Sequence, residues 1–302
     1  MDDALSLDGR AAIVTGAGNG LGRAEALALA AAGASLVLND MATDDVIAVA
    51  DEIVASGGEA VAVPADIGEW ATGQQLVAAA VDRYGRLDIL VNNAGVLRDR
   101  MVFTMSADEW DLVLRVHLRG HFVTTRFATA HWREQSKAAG GPVYGRIVNT
   151  SSEAFVAGSA GQPNYAAAKG GIVSLVRSAA AGLYRYGVTA NAIAPVARTR
   201  MSANVPTELA EMGDPEDVAP MVVYLLSEKA KHVTGQVYTV VGSKIAVWNQ
   251  PVEVRAMWAE GRWTPEQIAA RLDSNIGQER MGLIDRLEEM RRAAATGDQP
   301  NS

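Results

Sequence analysis

Short apolar runs alternate with longer amphipathic segments as far as about residue 240 of the chain. Residues 11–14 form the first apolar run, which ends at Thr15-Gly16 and is followed by a helical pattern that stops at Gly33. A second apolar run, residues 35–38, ends at Asn39-Asp40. Strand, helix and strand within about thirty residues is the length of a βαβ unit.

The same alternation continues after the second strand. Further strands are predicted at residues 60–63, 87–91, 146–149, 188–193 and 236–240. Helices are predicted at residues 21–32, 46–56, 73–84, 107–126 (running on toward Glu134), 165–184 and 215–227. Apolar strands that alternate with helices indicate a parallel sheet covered on both faces. The predicted fold class is therefore α/β, a doubly wound parallel sheet of the Rossmann type with seven strands.

The composition changes near Ser243, which predicts a main domain over residues 1–243 and a helical extension over residues 244–302. Thr264–Gln267 has the spacing of a capping box and predicts a helix start. A further helix face is predicted from the spacing of Leu283, Leu287 and Met290. Three of the six tryptophans lie in the extension, at positions 248, 258 and 263. From about Ala295 the chain is expected to be disordered.

Composition and charge exclude several classes of function. With 27 Lys and Arg against 35 Asp and Glu, the formal net charge is −8, which argues against a nucleic-acid partner. The absence of cysteine rules out disulfides, thiolate metal sites and a cysteine nucleophile. The four histidines lack metal-ligand spacing, so no metal site is predicted.

No membrane association is predicted from the hydropathy pattern. The longest apolar stretch, residues 26–38, contains Gly33 and is too short to span a bilayer. The chain starts Met1-Asp2-Asp3, which lacks the basic start of a signal peptide. We therefore expect a cytoplasmic protein.

The turn after the first strand is rich in glycine. Thr15, Gly16, Gly20 and Gly22 satisfy the pattern T-G-x-x-x-G-x-G, whereas Leu21 breaks the pattern G-x-G-x-x-G. Glycines at such a turn let a pyrophosphate approach the backbone, and the helix that follows offers unpaired N–H groups and the positive end of its dipole. The alternative is an ordinary βα turn that favours glycine.

An acidic residue, Asp40, closes the second predicted strand. In a dinucleotide site such a carboxylate accepts hydrogen bonds from the adenosine ribose hydroxyls and repels a 2′-phosphate. Asn19 in the glycine-rich turn is not basic and offers such a phosphate no partner. Both residues favour NAD over NADP; the alternative is a strand-end aspartate that only satisfies its own turn.

Three polar residues follow the strand predicted at residues 146–149. Ser152 comes soon after the strand end, Tyr165 thirteen residues later, and Lys169 four further on, on the same helix face. An ammonium near a phenol stabilises the phenolate and lowers its pKa, so that Tyr165 can act as an acid/base near neutral pH. Open parallel sheets bind ligands at this end of their strands. Taken alone, a tyrosine–lysine pair is more often a surface pair.

Together these segments resemble the short-chain dehydrogenase/reductase family, in the family's order and over roughly residues 7–243. The matching segments are Thr15–Gly22, Asn92–Gly95, Ser152, Tyr165 with Lys169, and Asn191–Pro195. The resemblance implies an NAD-dependent enzyme that interconverts a secondary alcohol and a ketone. The cofactor contacts that it implies are Thr15, Gly16, Asn19, Gly20, Leu21, Gly22, Asp40, Asp66, Ile67, Asn93, Ala94, Gly95, Tyr165, Lys169, Pro195, Val196 and Thr199. Within this set Asp66 marks the adenine end and Thr199 the nicotinamide end.

The resemblance also implies catalytic roles. Tyr165 would be the acid/base, Lys169 would hold the nicotinamide ribose and lower the tyrosine pKa, and Ser152 would hydrogen-bond the reacting oxygen. His117 stands where the family usually has asparagine, whose main-chain carbonyl holds a water of the proton relay. A histidine offers the same carbonyl, and a role for its imidazole stays open. Val196 replaces the glycine that usually follows the proline.

One subgroup of the family is especially similar. Residues 97–100, 115–120 and 193–195 resemble the (3R)-hydroxyacyl-CoA dehydrogenase domain of multifunctional enzymes, although the glycine-rich insertion usual after Asn39-Asp40 is absent. Arginines in two loops could meet the phosphates of a coenzyme A ester, the alternative being ordinary solvated arginines. These are Arg98, Arg100, Arg198 and Arg200.

The function predicted from the sequence is NAD-dependent hydride transfer between a secondary alcohol and a ketone, with a 3-hydroxyacyl thioester as the first substrate. Two alternatives stay open: a steroid or cyclic alcohol as substrate, and a non-catalytic nucleotide-binding module. The resemblance also implies a homodimer or homotetramer. The extension is expected to pack on a neighbouring subunit, the alternative being a lid over the substrate.

Overall fold

The computed structural model describes residues 3–199, 212–249 and 251–277 and, beyond them, residues 282, 284–285, 288–289 and 291–292. Two compact units make up the chain, Met1–Trp248 and Asn249–Ser302. Three predicted features lie outside the described residues: Arg200, the helix face of Leu283, Leu287 and Met290, and the end of the chain from Ala295.

One sheet of eight strands forms the centre of the first unit. The strands are β1 (Ala11–Thr15), β2 (Ser35–Asp40), β3 (Ala60–Pro64), β4 (Ile89–Asn92), β5 (Gly145–Thr150), β6 (Val188–Pro195), β7 (Val237–Val241) and β8 (Lys244–Val247). Their order across the sheet is β3-β2-β1-β4-β5-β6-β7-β8. The first seven strands run parallel, which confirms the doubly wound sheet.

The eighth strand, β8, was not predicted, because the sequence analysis counted its residues with the extension. It runs antiparallel to β7. Gly242, whose φ is +50°, supplies the left-handed conformation with which the chain reverses between the two strands. Trp248 continues this hairpin: its indole N–H donates to the Thr239 hydroxyl at 2.8 Å, and its ring lies 5.1 Å from that of Phe155.

Helices connect the strands and cover both faces of the sheet. They are α1 (Gly20–Ala31), α2 (Thr43–Ala55), α3 (Trp70–Tyr84), α4 (Ala107–Leu114), α5 (Gly120–Ala139), α6 (Ala154–Ala157), α7 (Pro163–Leu183), α8 (Pro215–Leu226) and α9 (Pro265–Asn275). The single turn α6 was not predicted. Among the described residues, no helix has both the length and the apolar character needed to cross a lipid bilayer.

The prediction of one continuous helix over residues 107–126 is wrong. α4 ends at Leu114, a π-helical turn spans Arg115–Arg119, and α5 then continues to Ala139. Gly120, just after the turn, allows a close approach to the loop after β3, since a Cβ there would lie 2.9 Å from the Ile67 side chain. Such turns are rare and occur mostly as single turns inside α-helices, frequently at functional sites.

Alternate side chains of each strand point into two apolar layers, one on each face of the sheet. Ala12 and Val14 of β1 point into the layer covered by α1, α2 and α8. Ile13 points into the opposite layer, where it joins Leu76 of α3 and Trp132 of α5. Because both faces are covered, the carboxyl ends of the parallel strands form the edge that is open to a ligand.

The second unit contains α9, which begins where the capping-box spacing predicts. The Thr264 hydroxyl accepts a hydrogen bond from the Gln267 N–H at 3.3 Å, and the Thr264 N–H donates to the Gln267 side chain at 3.1 Å. The Arg271 guanidinium lies 5.0 Å from the centre of the Trp263 ring. These contacts close the first turn of α9 and cover one face of that tryptophan.

One carboxyl group is buried in α1 without a partner. Glu25 is 0% exposed, and neither of its side-chain oxygens meets a hydrogen-bond partner among the described residues. Burial disfavours the charged form and raises the pKa of Glu25 from 4.5 to about 8. At neutral pH the folded protein therefore holds this carboxyl group mostly protonated.

Glu25 makes the stability of the fold depend on pH. Between pH 4.5 and about 8 the folded chain keeps a proton that the unfolded chain has lost, so the free energy of unfolding falls as the pH rises through this range. The free energy of unfolding falls by at most about 1.4 kcal/mol for each pH unit in this range. Glu25→Gln removes this titration, and we expect its urea midpoint to fall less steeply than that of the wild type.

Glu52→Gln is the control for this measurement, because it changes a carboxylate that is 44% exposed and pairs with Arg23 on the surface. Its urea midpoint should follow the wild-type pH dependence. Parallel curves for Glu25→Gln and the wild type would contradict the protonated state assigned to Glu25.

Candidate active site

A cavity of about 900 Å³ opens at the carboxyl ends of the parallel strands. Most predicted site residues line this cavity: Gly16, Asn19, Gly20, Leu21, Asp40, Asp66, Ile67, Asn93, Ala94, Gly95, His117, Ser152, Tyr165, Lys169, Pro195, Val196 and Thr199. Within the described part of the chain, no group of three or more side chains is arranged to hold a metal ion. The residues that line the cavity are far apart in sequence and meet at the edge of the sheet that is open to a ligand.

The glycine-rich turn after β1 packs its backbone directly against the loop after β4. Gly16 has a φ of +67°, and a Cβ there would lie 2.7 Å from the Cα of Ala94. Only glycine combines this conformation with this approach. Asn19 makes no side-chain cap to α1, which leaves backbone N–H groups at the amino end of α1 for an anion.

Two residues predicted to bind a cofactor, Thr15 and Gly22, are not among those that line the cavity. The Thr15 hydroxyl accepts hydrogen bonds from the N–H groups of Asn93 and Ala94 at 3.1 and 3.2 Å. A Cβ on Gly22 would lie 2.1 Å from the Gly16 carbonyl oxygen. Both residues lie behind the cavity wall and hold its two loops together.

Asp40 directs its carboxylate toward the glycine-rich turn. One carboxylate oxygen, Oδ2, accepts a hydrogen bond from the Gly18 N–H at 3.0 Å, and the other, Oδ1, accepts one from the Ala42 N–H at 3.0 Å. The second bond is the local turn contact that the sequence left open as an alternative. The first bond shows that Asp40 also orients the loop that would face a nucleotide.

Asp66 and Ile67 line the cavity in the loop after β3. The Asp66 carboxylate accepts a hydrogen bond from the Gly68 N–H at 2.8 Å and pairs with the Arg115 guanidinium at 2.8 Å. Partial burial opposes ionisation, but the Arg115 and Gly68 hydrogen bonds outweigh it and lower the pKa of Asp66. Arg119 also holds this loop, since it donates to the Gly68 carbonyl at 2.9 Å. The π-helical turn therefore fixes the position of Asp66.

The end of β5 and the start of α7 bring Ser152, Tyr165 and Lys169 together. Lys169 Nζ donates to the Thr150 carbonyl at 2.7 Å and lies 5.3 Å from the centre of the Tyr165 ring. Ser152 lies close enough to Tyr165 for its hydroxyl to lower the pKa of the phenol. The Ser151 hydroxyl donates to the Lys169 carbonyl at 3.0 Å, which ties α7 to β5. A hydroxyl, a phenol and an amine thus share one wall of the cavity.

His117 lies in the π-helical turn and is 1% exposed. Its ring centre lies 5.3 Å from that of Tyr165, with the two planes at 86°. Its Nε2 lies within hydrogen-bond distance of both backbone polar groups of Val96. A Cβ on Gly95 would lie 2.3 Å from the His117 Cε1, so glycine is required where the loop after β4 meets the ring.

The family model for short chain dehydrogenases matches residues 10–210 of the chain. This chain belongs to the short-chain dehydrogenase family. As a short-chain dehydrogenase it is an oxidoreductase, so the alternative of a non-catalytic module is set aside. It is 51% identical over 280 residues to the hydroxyacyl-CoA dehydrogenase ChsB1 of Mycobacterium tuberculosis, and the match covers 88% of each chain.

Two further comparisons agree with this assignment. The peroxisomal multifunctional enzyme type 2 of Mus musculus is 42% identical over 245 residues, which cover 78% of this chain and 32% of that longer protein. The crystal structure of a short chain dehydrogenase from Mycobacterium avium matches with a TM-score of 0.82 and 46% identity, covering 91% of this chain and 96% of that chain. The predicted family, and the resemblance to hydroxyacyl-CoA dehydrogenases, are confirmed.

The electrostatics of the dehydrogenase site correct one expectation. Burial raises the pKa of Tyr165 above 10.0, and the Asp99 charge adds to this, although the Ser152 hydrogen bond acts in the opposite direction. Burial also lowers the pKa of Lys169 from 10.5 to about 7. The expected lowering of the tyrosine pKa is therefore wrong for the protein by itself, because burial of the phenol outweighs the effect of Ser152.

The arginines proposed for phosphate binding differ in their surroundings. Arg98 lines the cavity, donates to the Leu97 carbonyl at 2.7 Å, and pairs with no carboxylate among the described residues. Arg100 pairs with Glu109 at 2.9 Å, and Arg198 pairs with Asp214 at 3.0 Å. Of the three described arginines, Arg98 alone offers its charge to the cavity.

Some residues that shape the site carried no sequence signal. Asn164 is 0% exposed and donates to backbone carbonyls of the loop after β4 and of α4, at 3.0 and 3.1 Å. Its carbonyl oxygen accepts a hydrogen bond from the Tyr165 N–H at 2.8 Å. Gln162 donates to the Asp99 carboxylate at 3.0 Å. Only the proximity of Asn164 and Gln162 to Tyr165 along the chain could have drawn attention to them.

Proposed function

We propose that this dehydrogenase oxidises the hydroxyl group of a 3-hydroxyacyl-CoA thioester to the ketone, with NAD as the cofactor. The observation that carries the proposal is one continuous cavity, lined at one end by Ser152, Tyr165 and Lys169 and elsewhere by Asp40 and the glycine-rich turn. The printed names of the relatives support the substrate, since one is a hydroxyacyl-CoA dehydrogenase and another a peroxisomal multifunctional enzyme.

The residues around the glycine-rich turn fit a dinucleotide. Gly16 and Gly22 let the turn pack closely, since a Cβ on Gly16 would meet the Ala94 backbone and one on Gly22 the Gly16 carbonyl oxygen. The uncapped amino end of α1 offers N–H donors to a pyrophosphate. The Asp40 carboxylate, bonded to Gly18, accepts ribose hydroxyls and repels a 2′-phosphate. Asn19 adds no positive charge that would offset this repulsion. These residues favour NAD over NADP.

The chain's own residues move the proton of the reaction. Bound NAD would supply the hydride acceptor and a positive charge beside the phenol. Tyr165 accepts the proton of the substrate hydroxyl, while the Ser152 hydroxyl beside it holds the reacting oxygen. Lys169, fixed by the Thr150 carbonyl, has a pKa of about 7 and so exchanges protons near neutral pH. By the family resemblance, the main-chain carbonyl of His117 would hold a water of the relay.

A coenzyme A ester suits the charge that lines the cavity. Arg98 has no described carboxylate partner, and phosphates are favoured partners of guanidinium groups. The neighbouring Asp99 and the net charge of −8 act against an anion, so the affinity for phosphates depends on Arg98. A steroid or cyclic alcohol carries no phosphate and gives Arg98 no role.

The proposal includes the location and the subunit assembly expected from the sequence. The enzyme works in the cytoplasm as a homodimer or homotetramer, and the segment after Trp248 packs on a neighbouring subunit. The strand β8 is not part of that segment, since it pairs with β7 in the first unit.

Tyr165→Phe removes only the phenolic oxygen and tests the mechanism. We expect its kcat for a medium-chain 3-hydroxyacyl-CoA with NAD, followed by NADH absorbance, to fall by at least about 100-fold because no group remains to take the proton. Tyr184→Phe, at a tyrosine that is 76% exposed, should keep wild-type turnover. Full turnover by Tyr165→Phe would refute the mechanism. If the wild type oxidises steroid alcohols but no hydroxyacyl-CoA, the proposed substrate class is wrong.

Asp40 variants test the choice of cofactor. Asp40→Ala removes both the ribose acceptor and the repulsive charge, so we expect the ratio of kcat/KM with NAD to that with NADP to fall at least about tenfold. Asp40→Asn keeps a carbonyl acceptor and removes the charge. If kcat/KM with NADP rises in Asp40→Asn as it does in Asp40→Ala, the discrimination against NADP is due to the charge of Asp40. An unchanged cofactor ratio in both variants would contradict the role given to Asp40.

Arg98 and Arg100 form a matched pair that tests phosphate recognition. We expect Arg98→Gln to raise the KM for a 3-hydroxyacyl-CoA about threefold to tenfold, because a charge-assisted contact is lost. The KM for the N-acetylcysteamine thioester of the same acid, which has no phosphate, should not change. Arg100→Gln breaks only the pair with Glu109 and should leave both KM values near the wild type. Equal effects of the two variants would argue against a phosphate contact at Arg98.

A further inference from the structure

Three neighbours fix the His117 ring. The Nε2 atom lies 2.8 Å from the Val96 carbonyl oxygen and 3.0 Å from the Val96 nitrogen. In one tautomer Nε2–H donates to the carbonyl, and in the other Nε2 accepts from the N–H, so the ring is anchored in both. Gly95 closes the Cε1 side of the ring. The third neighbour is Tyr165, whose ring the imidazole meets nearly at a right angle, 5.3 Å between centres.

The imidazole is neutral at the pH at which the enzyme would work. Burial and the positive charge of Lys169 lower the pKa of His117 well below 6.5, against the opposing effect of the Val96 hydrogen bond. His121, also buried, adds to the lowering. The second ring nitrogen, Nδ1, meets no hydrogen-bond partner among the described residues. An uncharged ring with a single polar anchor acts through packing and not by exchanging protons.

The contact with Tyr165 restrains the phenol in addition to Lys169, whose Nζ lies 5.3 Å from the ring centre. Asn164 holds the backbone at the start of α7, but a held backbone does not fix the side-chain angles of Tyr165. The His117 ring contacts the phenol ring nearly at a right angle, and its Nε2 lies 2.8 Å from the Val96 carbonyl oxygen, so the contact ties Tyr165 to the Val96 backbone. Val96 itself lines the cavity in the loop that would carry the cofactor.

We propose that the imidazole of His117 is a positioning residue for Tyr165, which holds the phenol ring in a fixed place relative to the loop Asn93–Val96. This inference rests on the function proposed above, because it assumes that Tyr165 takes the proton. It goes beyond that function, since the relay needs only the main-chain carbonyl of residue 117. Catalytic groups misplaced by about 1 Å can cost as much as 100-fold in rate, so an edge-on ring contact is sufficient to matter.

The variant His117→Asn separates the role of the imidazole from that of the main-chain carbonyl. Asparagine leaves the main-chain carbonyl in place and has no ring to reach Tyr165. The longer amide of His117→Gln also reaches the position of Nε2 and so keeps the Val96 anchor. His131→Asn is the control, because it removes an imidazole from α5. The charged neighbour of His131 is Asp88, which lies at the amino end of β4, whereas the cavity lies at the carboxyl ends of the strands. Should His117→Asn fail to fold, as judged by circular dichroism, His117→Gln takes its place.

The contact is tested without reference to activity by ¹⁹F NMR of protein labelled with 3-fluorotyrosine. The chain has seven tyrosines, and the Tyr165 resonance is the one lost in Tyr165→Phe. We expect His117→Asn to shift and broaden this resonance, because the ring current is removed and the phenol samples more rotamers. His131→Asn should leave it unchanged. An unshifted Tyr165 resonance in His117→Asn would overturn the proposal.

The consequence for the reaction is tested by steady-state kinetics on the full chain. We expect kcat of His117→Asn for a 3-hydroxyacyl-CoA to fall about tenfold, with the KM for that substrate and the Kd for NAD within about twofold of the wild type. A wild-type kcat in His117→Asn would overturn the proposal. If the wild type itself turns over no hydroxyacyl-CoA, the proposed substrate has failed, and the NMR comparison still decides whether His117 positions Tyr165.

Discussion

The whole site depends on the close backbone packing between the turn after β1 and the loop after β4. A Cβ on Gly16 would lie 2.7 Å from the Ala94 Cα, so any side chain there would separate the two loops. The Thr15 hydroxyl holds the same loop through the N–H groups of Asn93 and Ala94. Because β1 and β4 are adjacent in the sheet, parting their loops would open the cavity at its centre. The glycine-rich turn and the loop that carries Val96 are therefore held together.

The π-helical turn connects these two loops to Tyr165 and to the loop after β3. On one side of the turn, His117 joins the Val96 backbone to the Tyr165 ring. On the other, Arg115 pairs with Asp66 at the end of the cavity that the family resemblance assigns to adenine. One turn of five residues thus contacts both ends of the cavity. An unbroken α-helix would give these side chains a different spacing. Single π-helical turns are frequent at functional sites.

Much of the site was predictable, because its residues follow strand ends or have a fixed spacing. Ser152, Tyr165 and Lys169 meet as expected, since β5 and α7 place a strand end beside a helix start. Asn164 and the choice of Arg98 over Arg100 were not predictable, because each depends on which distant group lies nearby. The same limit applies to the pKa of Tyr165: the pair spacing indicates a lowering, but burial of both side chains reverses its direction.

The sequence by itself determined the fold class, seven parallel strands and the edge at which their polar ends collect, because apolar periodicity and strand–helix alternation are local properties of the chain. The tertiary structure decided the eighth strand, the break in the helix predicted at residues 107–126, and the burial that keeps Glu25 protonated and His117 neutral. The physical reason is that backbone approach, burial and charge pairing arise between segments far apart in sequence. No local pattern records such contacts.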